Sequence, residues 1–590
     1  MEFVGLVPDR ANQLITRMES SKGVLGRTRP GLEAAIEDAG PEWAGDQGTT
    51  AMHRAWAFFH EAQRDVKWRI DTISRMEPDH AVVGGWLTAE FRFGGEAEAA
   101  RAGKEAGANL LKLLSDPATS EDPQTWQKVE AAMAALKEKI KDPAFAATLI
   151  NAIGPAGLNE LFRRWKDANA VGRKRGIPPE ELARGKATFG VLAQALANAD
   201  AAGRVDDKSR KALVDSVEID ALSALVALAR QSTPLLNQAA KRILSTPPSG
   251  QAPDFSDADW NLQALINAYE ANPAALQRLL AEDKDAAAQL LHPNRVKLSG
   301  LPDGFEEQLA GVLDKALNAP KGDAALRARA WVNLMNGLGY DGSYGPAGHF
   351  ESLRNSPINE VLARGVVPYI PQLALGQALQ ASPKLKAHLT PEPPWNTLDP
   401  EVARRFVGAL MQDPAASKIL QEELPKYGWG LDIGRFQPFG GAGERAEYTR
   451  LSARLGGLAS LLLGGLSYAR LSRKEYADWV ASIALLPVAF GVNQWGNIAD
   501  ATAATGRDVA VDAMKDAAKE RIMEYLAGKG PQDVGDLADY LVDAAAQIVA
   551  TSLEQHGQPL MTVEDRDRIT QEFRGRLHDP LKKALENFED

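Results

Sequence analysis

Helix-length segments rich in alanine and leucine, ended by proline or glycine, run through almost all of this 590-residue chain. Alanine and leucine favour helix, whereas the β-branched and aromatic residues that favour strands are sparse. The alternation of apolar and polar residues that a half-buried strand requires is almost absent. The sequence therefore predicts an all-α fold.

Two segments near the N-terminus carry an apolar residue at every seventh position. The first repeat consists of Ala11, Met18, Leu25 and Leu32, and the second of Met52, Phe59, Val66 and Ile73. Because seven residues span nearly two helical turns, each set forms one stripe along its helix. The pattern predicts an N-terminal antiparallel helical hairpin over residues 1–92, followed by a multi-helix array. Pro8 suits a first helical position, whereas Gly23, Gly26 and Pro30 predict a kink or interruption in the first helix.

The two segments are separated by a glycine-rich break, GPEWAGDQGTT, at residues 40–50. Its three glycines, Gly40, Gly45 and Gly48, disfavour a continuous helix through this point. The break also contains Trp43, whose indole is unfavourable to leave in water. We therefore expect a neighbouring helix or another protein to cover Trp43.

The remaining chain is too long for one hydrophobic core and is expected to divide into several helical regions. We place these regions at 93–250, 251–390 and 391–590. The segment 245–260, STPPSGQAPDFSDADW, is dense in proline and small polar residues and is the predicted linker.

Charge and cysteine content exclude several classes of protein. The net charge of -11 argues against a nucleic-acid binder, which needs a concentrated basic surface. The absence of cysteine excludes disulfides, thiolate metal sites and cysteine nucleophiles. The N-terminus has no basic region followed by an apolar stretch, so we expect no Sec-type signal peptide. The protein is expected to be cytoplasmic, or exported without such a signal.

No sequence motif supports catalysis, and we predict no catalytic, cofactor-binding or metal-binding residue. Phosphate-binding loops, nucleophile elbows and zinc-protease helices are all missing their required residues. An alternative is a hydrolase that uses Asp341 and His349, which lie in the loop NGLGYDGSYGPAGH at 336–349. This hypothesis requires a rigid pocket that brings the two side chains within hydrogen-bonding reach.

An apolar region at 455–499 departs from the amphipathic pattern. Its two arms, LGGLASLLLGGLSYA and WVASIALLPVAFGVNQWGNIA, carry no charge. A membrane-spanning helix needs about 20 predominantly apolar residues, but the first arm is too short and Pro487 interrupts the second. The leading interpretation is a buried helical hairpin in the core. The alternative is a membrane-active toxin that inserts this hairpin into a bilayer.

The tripeptide Trp43-Ala44-Gly45, placed between two heptad helices, resembles the WXG superfamily of helical hairpins exported by type VII (ESX-type) secretion. The resemblance implies that the turn packs against a small helical partner protein or a secretion component. We assign Trp43, Gly45 and Trp56 as the predicted partner-binding residues. The Tyr-x-x-x-Asp/Glu export signal of that family is missing near residue 80.

The chain beyond residue 96 is similar to large actinobacterial proteins with tetratricopeptide-repeat regions, which are often associated with secretion or toxin genes. No regular 34-residue period supports a repeat here. Together the resemblances imply a non-enzymatic helical scaffold or delivery protein of a type VII-like secretion or toxin system.

Overall fold

The computed structural model describes most of the chain in two compact units, Met1–Asn272 and Pro273–Asp590. The described residues are 2–40, 46–76, 87–115, 123–168, 179–245, 256–291, 303–319, 323–339, 355–381, 391–424, 456–484, 516–527, 534–555, 564, 567, 571 and 574–586. Helices dominate both units, which confirms the all-α prediction. The boundaries of the four predicted regions stay predictions, and residues 246–255 of the predicted linker lie outside the described residues.

The first unit begins with the predicted antiparallel hairpin. Helix α1 spans Pro8–Ala39 and helix α2 spans Asp46–Met76, and the two helices pack against each other. Proline occupies the first turn of α1, as predicted. Of the predicted kink or interruption of α1, the interruption does not occur, because the helix continues through Gly23, Gly26 and Pro30. The kink stays a prediction. The packing of α1 against α2 stabilises the helix despite the backbone hydrogen bond that a proline removes.

A short β-ladder joins the two ends of the hairpin. Strand β1, Glu2–Leu6, pairs antiparallel with strand β2, Leu87–Phe91, in a register that runs from Glu2 opposite Phe91 to Leu6 opposite Leu87. These are the only strands in the described part of the chain. The sequence analysis did not predict them, because five residues are too few to show a clear alternation. The ladder fixes the chain before α1 to the chain after α2.

The rest of the first unit is a packed helical body. Its helices are α3 (Glu96–Leu114), α4 (Pro123–Leu136), α5 (Pro143–Ala168), α6 (Pro179–Ala201), α7 (Asp207–Ser216), α8 (Ile219–Ala227), α9 (Thr233–Ser245) and α10 (Ser256–Ala271), with a 3₁₀ turn at Lys139–Lys141. Helices α3 and α5 form the most extensive contact. They can approach closely because Gly103 has no side chain. A Cβ atom at this position would collide with the carbonyl oxygen of Phe145.

The second unit is a second array of packed helices. They are α11 (Pro273–Glu282), α12 (Ala286–Leu290), α13 (Phe305–Leu317), α14 (Ala324–Gly339), α15 (Pro357–Val366), α16 (Ile370–Ala381), α17 (Pro400–Met411), α18 (Pro414–Glu423), α19 (456–466), α20 (Arg473–Ala484), α21 (516–526), α22 (Val534–Gln555) and α23 (Asp579–Glu586). Short 3₁₀ turns lie at Val367–Tyr369 and Trp395–Thr397, and a π-helical turn precedes α23 at Arg574–His578.

The described part of the apolar region is buried in this second unit. Helix α19 packs its leucines into the core, and Leu461 and Leu462 are fully buried. The backbones of Gly408 in α17 and Gly465 in α19 are in direct contact. None of the described helices combines the length and apolar character needed to cross a membrane. Residues 485–499 lie outside the described residues, so the membrane-inserting alternative stays a prediction.

Candidate docking surface on the N-terminal hairpin

Every exposed large apolar side chain in the described part of the chain lies on the hairpin. The exposed fractions are 43% for Leu14, 51% for Val24, 36% for Trp56 and 65% for Phe58. Large apolar side chains in the helical body, such as Phe145 and Phe189, are 1% exposed. Clustered apolar exposure on one element is typical of an interaction surface. The hairpin is therefore the candidate functional site.

One face of the hairpin carries Trp56 together with polar and charged side chains. The Trp56 ring stacks on His60, one turn further along α2, with ring centroids 5.2 Å apart. From α1, the Nζ atom of Lys22 lies 6.0 Å from the Trp56 ring centroid, and Gly26 faces the indole nitrogen. Lys22 also donates a hydrogen bond to Gln63 at 3.1 Å. Contacts within the hairpin thus already cover much of Trp56.

A groove of about 530 Å³ lies on the same side of the hairpin. Trp56 and Met52 line it from α2, and Leu25 and Pro30 line it from α1. At its rim, Arg29 donates to Glu33 at 2.6 Å and lies 3.2 Å from Nδ1 of His53. Arg29, the arginine at the rim of the groove, is therefore held by side chains of the hairpin itself. Trp43 and Gly45, the other predicted partner-binding residues, lie outside the described residues.

The opposite face carries Val24 and Phe58. Each lies two positions along its own helix from residues of the Trp56 face. Val24 is two positions from Lys22 and from Gly26 in α1, and Phe58 is two positions from Trp56 in α2. Two residues correspond to a rotation of about 200° around a helix axis, so Val24 and Phe58 point away from that face. They also lie at the same height along the hairpin. Gly26 and Trp56 face each other across the hairpin. Val24 precedes Gly26 by two residues in α1 and Phe58 follows Trp56 by two residues in α2, so both are displaced by the same distance away from the turn.

Val24 and Phe58 belong to a second heptad seam, distinct from the α1–α2 contact. Its members share small size or apolar character, lack charge, and are spaced alternately by three and four residues. They are Ser21, Val24, Thr28, Gly31 and Ala35 in α1, and Ala51, Ala55, Phe58 and Ala62 in α2. We call this surface the Val24–Phe58 face. An uncharged seam of this spacing is the geometry by which helices pack on one another.

The root of the hairpin, by contrast, is buried in the helical body. Trp68 is fully buried, and its indole nitrogen donates a 2.9 Å hydrogen bond to Asp142. The other carboxylate oxygen of Asp142 accepts the backbone N–H groups of Ala144 and Phe145 at the start of α5. Burial raises the pKa of Asp142, although these three donors favour its ionised form. Phe91 of β2 packs on the Trp68 ring, with centroids 5.2 Å apart.

A bridging carboxylate makes a second connection at the root. Glu96, at the start of α3, accepts hydrogen bonds from Arg64 of α2 at 3.0 Å and from Arg204 at 2.7 Å. Burial opposes ionisation of Glu96, but the hydrogen bonds and charges of Arg204 and Arg64 outweigh it and lower the pKa of Glu96. Trp68 and Glu96 together hold the root of α2 against the helical body.

The alternative hydrolase site falls outside what the structure describes. Asp341 and His349 both belong to residues 340–350, which lie outside the described residues, so this alternative stays a prediction. Among the described residues, potential metal ligands nowhere gather in groups of three or more.

Comparison with known proteins adds no relative: no family model, curated protein or solved structure matches the chain.

The sequence analysis identified the hairpin but missed its Val24–Phe58 face. The signal was present as a second series of uncharged residues at three-and-four spacing, beside the stronger seam of Leu25 and Phe59.

Proposed function

We propose that this chain is a non-enzymatic helical scaffold or delivery protein that binds a partner protein through its N-terminal hairpin. The observation that carries the proposal is the Val24–Phe58 face, where Phe58 is 65% exposed on a helix that is otherwise packed against α1. Exposed aromatic residues at the centre of an uncharged surface are the usual anchors of protein interfaces.

The shape of the face supports a helical partner. Alanine, glycine and serine surround Val24 and Phe58, so a second helix can approach the backbones of α1 and α2 closely. The seam from Ser21 to Ala35 is 15 residues long, which corresponds to about 21 Å of helix. A helix of about four turns would cover it.

The secretion context rests on the sequence resemblance. Trp43-Ala44-Gly45 stands between the two helices of the hairpin, as in the WXG superfamily. In that setting the partner is a small helical protein or a component of a type VII-like secretion system. The candidate contact residues are then Trp43 and Gly45 in the segment between the two helices, Trp56 on one face, and the Val24–Phe58 face.

The test is co-purification of tagged full-length protein from its native host, with quantification of the captured proteins. We expect the double variant Val24→Ser/Phe58→Ser to capture about 30-fold less of a specific helical partner, since an aromatic anchor typically contributes about 2 kcal/mol. Circular dichroism should show unchanged helicity, because both side chains are exposed. Trp56→Ser is the matched variant on the opposite face.

The two faces give distinguishable results. Loss of the partner with Val24→Ser/Phe58→Ser alone assigns the contact to the Val24–Phe58 face, and loss with Trp56→Ser alone assigns it to the Trp56 groove. Equal capture by the wild type and by both variants would refute docking through either of these two faces.

A further inference from the structure

Two arginines flank the Val24–Phe58 face on its outer edges. Arg27 lies three residues from Val24 in α1, and Arg54 lies four residues from Phe58 in α2, so each is next to its apolar neighbour on the helix surface. Both lie towards the turn, at nearly the same height along the antiparallel pair. They therefore stand opposite each other across the face.

Both arginines are available to a partner. Each is exposed, and neither has a hydrogen bond or ion pair among the described residues. Three further arginines of the hairpin are paired: Arg29 with Glu33, Arg64 with Glu96 and Arg69 with Asp65. Arg10 and Arg17, nearer the start of α1, are exposed as well. Arg27 and Arg54 place two positive charges at the edges of the Val24–Phe58 face, in a chain whose net charge is -11.

The charges indicate what kind of surface can cover the face. A helix lying between α1 and α2 would have its two flanks beside Arg27 and Arg54. Carboxylates on both flanks would pair with the arginines, whereas lysines there would be repelled. A second copy of this chain fits less well: the acidic residue bordering Phe58 on α2 is Glu61, and one carboxylate cannot serve both arginines.

We infer that the Val24–Phe58 face binds an amphipathic partner helix whose apolar stripe is flanked on both sides by carboxylates. This inference rests on the proposed docking function and adds the chemistry of the partner. The apolar stripe provides the contact with Val24 and Phe58, and the flanking carboxylates select the helix and set its position along the seam.

The experiment measures binding of the full-length chain to three synthetic helical peptides by fluorescence anisotropy. The peptides share one alanine and leucine stripe and carry glutamate, glutamine or lysine at the flanking positions. We expect the glutamate peptide to bind about tenfold more tightly than the lysine peptide at low salt, and the preference to shrink at high salt because the charges are exposed. In Arg27→Glu/Arg54→Glu the preference should reverse.

A matched control is Lys67→Glu/Lys104→Glu, which changes the net charge by the same amount at exposed positions away from the face. This variant should keep the preference for the glutamate peptide. If all three peptides bind equally and the binding still requires Phe58, docking stands and the inferred partner chemistry is wrong. If no peptide binds in a Phe58-dependent way, the inferred partner chemistry is wrong, and the co-purification experiment decides docking itself. Phe58-dependent self-association in sedimentation would instead identify a second copy as the occupant and overturn the inference.

Discussion

The two halves of α2 share one heptad pattern but differ in what covers them. In the outer half, Met52 and Phe59 contact α1 and are only half-buried, while Phe58 is 65% exposed. At the root, Trp68 is fully buried and Ile73 is 3% exposed. In the part of the chain that the structure describes, the outer half packs against α1, whereas the root also contacts α5 and β2.

The difference shows that a heptad seam specifies a pairing but not its degree of burial. Two helices alone bury one stripe each and leave every other face in water. A third element is needed to bury an entire side chain, and in the described part of the hairpin it is present only at the root. Stability is therefore concentrated at the root, and surface for binding is concentrated in the outer half.

The largest expected effect is on the root. Trp68→Ala removes a fully buried ring and leaves Asp142 without its side-chain donor. We therefore expect the free energy of unfolding of this region to fall by about 3–5 kcal/mol. Hydrogen exchange followed by mass spectrometry should show lower protection in the second half of α2 and at the start of α5.

Trp56→Ala is the matched control, because it removes a second tryptophan of the same helix that is 36% exposed. It should lower protection by about 1 kcal/mol or less. Equal losses for the two tryptophans would contradict the contrast between root and outer half.

A smaller effect is expected within the outer half, where the adjacent residues Phe58 and Phe59 have different roles. Phe59 lies in the α1–α2 seam, so Phe59→Ala should weaken the pairing by about 2–3 kcal/mol. Phe58→Ala should lower the stability of the α1–α2 pairing by about 0.5 kcal/mol or less, since the ring is mostly exposed.

Hydrogen exchange of α1 measures both variants in the full-length chain. Phe58→Ala should keep the protection of α1 and lose partner binding, whereas Phe59→Ala should lower both. If Phe58→Ala reduces α1 protection as strongly as Phe59→Ala, then Phe58 stabilises the hairpin and the docking face loses its main support.

The smallest effect concerns the charged connection at the root. The pKa of Glu96 in the folded protein is below its ordinary value of 4.5, so this residue contributes stability above that pH. The contribution is lost as the pH falls through the lowered pKa. We expect Glu96→Gln to cost about 0.5–1 kcal/mol at neutral pH, mainly through Arg204, because Arg64 is largely exposed to solvent.

Urea denaturation at neutral and acid pH, followed by circular dichroism, compares Glu96→Gln with the wild type. The difference between the two proteins should shrink as the pH falls below 4.5. A difference that is independent of pH would show that Glu96 acts through packing and that its charge is unimportant.

The sequence alone determined the helical class, the N-terminal hairpin and the start of α1 at Pro8. These features depend on local composition, heptad spacing and the fixed backbone of proline, all of which can be recognised without a structure. The burial of the first apolar arm was also predictable, because 15 uncharged residues interrupted by glycines are too short to span a bilayer.

Only the tertiary structure decided which aromatic residues of the hairpin are free. Trp56 and Phe58 are both aromatic, but Trp56 is partly covered by Lys22 and stacked on His60. Phe58 meets the adjacent Phe59 ring edge to face and remains 65% exposed. The β1–β2 ladder and the contact of Trp68 with Asp142 join residues 74 or more positions apart. Such distant pairings cannot be predicted from local sequence, because they depend on how the packed helices bring separate segments together.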